Sequence, residues 1–361
     1  MKLLKSITLG NLRLKNSMIM APMTRSRANN DGVVGDLTVL YYTQRAAAGL
    51  IISEGITISE QAVGSPWTPG IYSQEQISAW KKVTQSVHAK EGLIFAQLWH
   101  TGRVGHSVDR NENLPVAPSA IAIQGQQHFT SQGLKEYETP RALTTIEVKQ
   151  IIQDYKQAAV NAMEAGFDGV ELHAAFGYLP NEFLAESANQ RTDEYGGTIE
   201  NRNRFVLEIM QEMVNTIGSN KVAIRLSPTN TFNAMEHSDP VSQYTPLIAE
   251  LNKMPLAYIH LMNAMAPLDN YPHYPKNVME TFGRLSNLPI IANAGYSRET
   301  GEAELEKGIA KMISYGSLFL ANPDLPRRFE IGAALNAPDN ATMFGGGEKG
   351  YTDYSFVTAQ Q

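Results

Sequence analysis

Residues 169–205 read GVELHAAFGYLPNEFLAESANQRTDEYGGTIENRNRF, and the fold follows from how that stretch is parsed. The apolar run Gly169-Val170-Glu171-Leu172 has the length of a buried strand. It delivers His173 and, five residues on, Tyr178 to the space beyond its carboxyl end. Tyr195-Gly196-Gly197 is then a strong turn signal ahead of a new helix. An imidazole and a phenol at a strand end, held by a long polar loop, is how a barrel enzyme assembles a site. A lone histidine is more often a satisfied core residue; the strand-end position beside Tyr178 makes His173 a catalytic candidate.

Working outward, short apolar runs alternate with longer amphipathic segments. The runs are 17–21, 49–53, 93–98, 169–172, 222–226, 257–261, 289–293 and 312–315. Between them, helices are expected over Leu37–Ala48 and Glu75–Lys90. Val148, Ile151, Ile152, Tyr155, Ala159, Ala162 and Met163 share one helical face, opened by a Thr144/Glu147 capping box and closed by Gly166. Val206, Ile209, Met210, Met213 and Ile217 form a second stripe before Gly218. Unalternating strands linked by helices imply a parallel sheet buried on both faces. Eight such units predict a (β/α)8 TIM barrel, with an open doubly wound sheet as the alternative. The connection from about 99 to 143 breaks the rhythm: it is rich in Pro, Gly, Gln and Ser and has no evident helix. So long a loop in a compact domain is ordinarily functional, so a lid or capping hairpin after the third strand is expected. Residues 1–361 are read as one domain.

Composition narrows the function. Hydrophobic residues make up 43% and charged residues 18%, as in a soluble globular chain. The net charge of -6, with scattered Lys and Arg, argues against nucleic acid or an acidic membrane surface as partner. With no cysteine, disulfides, thiolate metal sites and a Cys nucleophile are excluded. The first residues lack a signal-peptide pattern and no window is long enough for a membrane span, so a cytoplasmic location is expected. His100, His106 and His173 show no metal-ligand spacing, and no metal is expected. Gly345–Gly350 matches GxGxxG by letter, but it follows no strand and opens no helix.

The residues past each strand carry the chemistry. They are Pro22-Met23-Thr24, Glu54-Gly55, Gln97-Leu98-Trp99-His100, His173 with Tyr178, Asn293-Ala294-Gly295, and Gly316-Ser317, with Arg225 inside the fifth strand. Glycines after the seventh and eighth strands are where barrels commonly hold a phosphate on backbone N–H groups. An arginine in an apolar strand must face a carboxylate or a ligand, because a buried unpaired charge is too costly.

Taken in order, Ala21–Arg25, Ser53–Gly55, Ala96–Arg103, Ser187–Arg204, Ala321–Leu325 and Gly350–Tyr354 resemble the old yellow enzymes. These are FMN-dependent ene-reductases, N-ethylmaleimide reductase-like proteins among them, and the likeness covers nearly the whole chain. It implies hydride transfer from NAD(P)H through FMN to the C=C bond of activated alkenes such as enones, maleimides and nitro compounds. By that resemblance Pro22, Met23 and Thr24 border the flavin, with Thr24 near O4, and Gly55 and Gln97 line its pyrimidine edge. Arg225 lies by N1 and O2, where negative charge gathers on reduction. Ala294, Gly295, Gly316 and the position of Ser317 surround the phosphate, and Asn293 is a further cofactor-binding residue. His173 binds the substrate oxygen, Tyr178 protonates Cα, and Tyr72, Trp99 and Tyr351 supply aromatic surroundings. The enzyme would take a small-molecule substrate as a monomer or homodimer.

Two positions depart from the family pattern. Phe176 stands where an Asn or second His gives another donor to the substrate oxygen, a loss of about 10²–10³ in rate for one such donor. Ser317 stands where an Arg pairs the FMN phosphate, which removes a charge-assisted bond of about 1.5–3 kcal/mol. Arg298 is a candidate substitute. The alternative function is a flavin-binding or cofactor-free barrel with lost or altered activity; a metal-dependent hydrolase is a third.

Overall fold

The computed structural model describes residues 1–358. Eight parallel strands close into a barrel: β1 (Met18–Met20), β2 (Leu50–Thr57), β3 (Ile94–Trp99), β4 (Gly169–Ala174), β5 (Val222–Leu226), β6 (Ile259–Met262), β7 (Ile290–Asn293) and β8 (Met312–Tyr315). Every expected apolar run supplies one strand. Helices alternate with them, so the architecture is the (β/α)8 TIM barrel.

Local chemistry explains the main helices. Thr145–Glu164 begins on a true capping box, with the Thr144 hydroxyl accepting from Glu147 N–H at 3.3 Å and the Glu147 carboxylate accepting from Thr144 N–H at 2.8 Å. Ile199–Ile217 begins on Thr198, whose hydroxyl accepts from Asn201 N–H. Both helices bury their apolar stripes against the barrel in one continuous core. The helix read as Leu37–Ala48 runs Asp36–Gln44, and the one read as Glu75–Lys90 runs Gln74–His88 behind a Ser73 capping box.

The end of the barrel away from the strand carboxyl termini is plugged. An N-terminal hairpin, Ile7–Leu9 with Leu12–Leu14, sets Leu9 and Leu14 against Ile19, Leu50, Ile52, Phe95, Tyr258, Ile291 and Met312. Gly169 is required here: a Cβ on it would sit 2.4 Å from the Phe95 ring, so only glycine lets that ring fill the barrel.

One expectation about the strand ends is corrected. Glu54 and Gly55 lie inside β2, which continues to Thr57 through a register shift between Ile52 and Gly55. A β-bulge bends the strand without ending it, which an apolar-run rule cannot detect. The long connection after β3 carries the expected hairpin, Gln127–Thr130 paired antiparallel with Gly133–Glu136, beside a short 3-10 turn at Ser107–Asp109 and a strand pair Val116–Ala117 with Arg141–Ala142. Among the described residues no helix is long and apolar enough to cross a membrane.

Candidate active site

A cavity of about 1060 Å³ opens at the carboxyl ends of the strands. Pro22, Met23, Thr24, Trp99, Phe176, Tyr178, Arg225, Asn293, Ala294, Gly295, Gly316 and Ser317 all line it. Each reaches it because a strand ends there, so residues spread across the chain meet in one space.

His173 sits one layer back. Its ring centroid is 4.8 Å from that of Tyr178, edge-on, 6.4 Å from Trp99 and 6.2 Å from Phe176, all three of which form the cavity wall. Burial, reinforced by the Arg225 charge, holds the His173 imidazole well below its ordinary pKa, so at neutral pH it is uncharged. Its Nδ1 has no hydrogen-bond partner among the described residues. Burial pushes the Tyr178 phenol above its ordinary range, and it stays protonated through neutral pH.

Arg225 on β5 is the register partner of His173 on β4 and brings a cation beside this pair. Its Nη2 donates to Asn293 Oδ1 at 2.8 Å, while Nε finds no partner among the described residues. Burial pulls its pKa down to about 10, with Glu171 acting against that fall, so the cation persists at neutral pH. The guanidinium carbon lies 5.3 Å from the centroid of the Phe176 ring. Phe176 itself holds a left-handed φ of 59°, its N–H donating to Ser227 Oγ at 3.1 Å and its carbonyl accepting from Asn233 Nδ2 at 2.8 Å.

At the other end, Ala294 and Gly295 take φ of 76° and 80°, and Ser317 opens the short helix Ser317–Ala321. A Cβ on Gly295 would meet nothing within 4 Å, so the backbone there faces open space. Arg298 does not join this group. Its guanidinium lies beside Gly332, with Nη1 3.4 Å from where a Cβ there would stand. The expected substitute for the missing phosphate cation is therefore absent from the cavity wall.

Four other expected residues lie outside that wall. Tyr351 is fully buried and stacks on Tyr41 at 4.2 Å, with Arg25 and Arg27 over its ring, so it supports the site from behind. Tyr72 is 39% exposed beside the helix start at Ser73. Gly55 is pressed against the Trp99 indole, where a Cβ would come within 2.7 Å. Gln97 lies in the barrel interior and donates Nε2 to Glu171 Oε1 at 2.8 Å. Conversely, the wall includes residues that sequence reading passed over: His128, Phe129 and Tyr137 from the connection after β3, Phe232 and Asn233 after β5, Met262, Ala264 and Met265 at β6, and Met343 and Phe344 near the C-terminus. The β6 group obeys the same strand-end rule as the rest; the others carry no local signal. Among the described residues no cluster of His, Asp or Glu could hold a metal ion.

Unpartnered buried donors on Arg225, Trp99 and His173, a glycine-lined far end and a neutral imidazole beside a protonated phenol fit a planar, polar-edged cofactor with an anionic tail. The class defined is a flavin-type barrel oxidoreductase. The comparisons agree. Residues 2–336 match the NADH:flavin oxidoreductase / NADH oxidase family, and the chain belongs to that family. It is 42% identical over 358 residues to 12-oxophytodienoate reductase 1 of Oryza sativa subsp. japonica, covering 98% of this chain and 93% of that one. Morphinone reductase in complex with tetrahydroNAD superposes with a TM-score of 0.93 at 44% identity, covering 99% and 98% of the two chains. An old yellow enzyme homologue from Zymomonas mobilis does so at 0.94 and 40%, covering 99% and 100%. The old yellow enzyme assignment stands, with FMN as cofactor and NAD(P)H as co-substrate.

Proposed function

We propose that the protein reduces C=C bonds conjugated to a carbonyl or nitro group, by alternating reaction with NAD(P)H and with the alkene. The observation that carries this reading is the neutral His173 and the protonated Tyr178 packed edge to face at the end of β4, with the Arg225 cation beside them on β5. When bound, FMN supplies the hydride relay between the two substrates. Thr24, Arg225 and Asn293 would hold its ring system, and the backbone of Ala294, Gly295, Gly316 and Ser317 its phosphate. His173 would donate a hydrogen bond to the substrate's oxygen, and Tyr178 would pass its phenolic proton to Cα and regain one from solvent.

Phe176 offers that oxygen no second donor beside His173. Nitroalkenes, which are polarised without a second donor, are favoured over simple enones. The cavity mouth carries exposed apolar side chains, Phe129 at 51%, Phe232 at 58%, Met265 at 67% and Phe344 at 63%, which favours substrates with a bulky apolar body. The hairpin after β3, which contributes Phe129, would act as the cap over them. The test is an absorption spectrum of purified protein under anaerobic conditions. A flavin band bleached by NADH or NADPH and restored by a nitroalkene is expected. A bound flavin that neither pyridine nucleotide bleaches would favour the binding-protein alternative, and failure to take up FMN would refute the cofactor assignment.

A further inference from the structure

The interior of a (β/α)8 barrel is ordinarily a stack of apolar layers. Here only the lower part is, around Phe95, Tyr258, Ile291 and Met312. Side chains two residues further along each strand point the same way, and at that level the interior turns polar: Gln97 on β3, Glu171 on β4, Arg225 on β5, His260 on β6, Asn293 on β7 and Ser314 on β8. Six neighbouring strands thus contribute one hydrogen-bonding side chain each, and all six are buried.

They form a connected set centred on Glu171. Gln97 Nε2 donates to its Oε1 at 2.8 Å, and His260 Nδ1 lies 2.9 Å from its Oε2. The far nitrogen of His260 meets Ser314 Oγ at 2.7 Å, and Asn293 Nδ2 donates to the Ser314 carbonyl at 3.2 Å while its Oδ1 accepts from Arg225. Burial keeps the His260 pKa below its ordinary value, so the imidazole adds no charge and Glu171 is the negative partner of Arg225 in this layer. A fully enclosed carboxylate needs hydrogen bonds and a compensating charge; Gln97 and His260 supply the bonds, and Arg225 supplies the charge without touching it.

We propose that Glu171 is a positioning residue of the flavin site: it fixes the Gln97 amide and offsets the Arg225 charge, and so sets the balance between oxidised and two-electron-reduced FMN. The proposal rests on the flavin reading of the cavity. Reduction adds negative charge, which Arg225 favours and Glu171 opposes. Glu171→Gln keeps the shape and can keep the hydrogen bonds, since the His260 ring can exchange its proton between its two nitrogens, with Ser314 answering at the far side. Only the charge is removed.

The experiment measures the midpoint potential of bound FMN by dye-coupled reductive titration, with FMN dissociation constants determined in parallel. For Glu171→Gln the expected result is at least a tenfold shift toward reduced FMN, about 30 mV more positive for a two-electron couple. Glu171→Asp, which keeps the charge but draws it back from Gln97, is expected to bind FMN more weakly while its redox ratio stays within about threefold of wild type. A Glu171→Gln protein that holds FMN at the wild-type potential overturns the proposal and leaves the flavin reading intact. Should Glu171→Gln not fold, a tenfold redox shift in Glu171→Asp overturns it equally. Wild-type protein that takes up no FMN overturns both.

Discussion

Replacing Phe176 by Asn tests whether a single donor limits the reaction. The backbone at 176 already has the left-handed φ of 59° that Asn adopts more readily than Phe, a strain of about 1–2 kcal/mol for an ordinary side chain. That conformation is locked from both sides by Ser227 and Asn233, so the new amide would start from the same place as the ring it replaces, beside His173 and above Arg225. The substitution loses the edge-to-face contact with Phe232, 6.0 Å between centroids, worth about 0.5–1.5 kcal/mol. Relief of backbone strain offsets that loss, so the fold should change little in stability. A well-aimed oxyanion donor is worth about 10²–10³ in rate. The amide can still rotate toward Arg225's neighbours, so the expected gain in kcat/KM for 2-cyclohexenone falls short of that full worth, at about ten- to a hundredfold. The assay is stopped-flow reoxidation of the reduced enzyme, with Phe176→Leu as the control that empties the position without adding a donor. A folded, flavin-loaded Phe176→Asn enzyme that reoxidises at the wild-type rate refutes the reasoning, and equal gains for Asn and Leu would mean that the ring merely obstructs the site.

Tyr178→Phe should leave reduction by NAD(P)H intact and slow reoxidation by an enone about 10²–10⁴-fold, the usual worth of a positioned acid. Because burial raises the phenol above its ordinary pKa, the wild-type reoxidation rate should show no loss of this acid through pH 9, read from a pH profile of the single-turnover rate. Ser317→Arg should tighten FMN about ten- to a hundredfold by restoring a charge-assisted bond of about 1.5–3 kcal/mol, measured by titrating apoprotein; no change would mean the backbone alone saturates the phosphate. Glu182→Gln should stabilise the protein increasingly as pH rises. Glu182 is fully buried, accepts from Arg103 N–H at 2.8 Å through Oε1, has no partner for Oε2 among the described residues, and is pushed up to about 8 by burial. The folded chain therefore holds this proton when the unfolded chain has released it, and wild-type stability falls as pH climbs from the unfolded carboxyl value toward 8, by about 1.4 kcal/mol per unit within that window. Glu54, raised to about 7, contributes in the same sense and remains in the variant, so the thermal-melting slope between pH 6 and 8 should lessen but not vanish.

What the sequence made legible divides along one physical line. Strands, capping boxes and strand-end residues are properties of a few consecutive side chains, and there β1 to β8, Thr144 with Glu147, and the grouping of Tyr178, Arg225, Gly295 and Gly316 all came through. The direction in which a side chain is spent is decided by partners far along the chain. Tyr351 is drawn away from the cavity by Tyr41, more than three hundred residues earlier, and by Arg25, whose Nη2 donates to the carbonyl of Gly350. Gln97 is taken by Glu171 on the next strand, and the bulge in β2 turns Gly55 against Trp99. None of these partners is adjacent in sequence, so no local signal revealed them. The polar layer under the cavity was hidden for the same reason. Glu171 reads as a stray charge in an apolar run until the register beside β3 and the turn of the barrel bring Gln97 and His260 to its two oxygens. A charged residue in a strand that cannot reach solvent is therefore a local sign of a long-range partner. Arg225 was read that way with a ligand as its answer; Glu171 in the same layer supplies the other half, so the cation serves the fold and the cofactor at once.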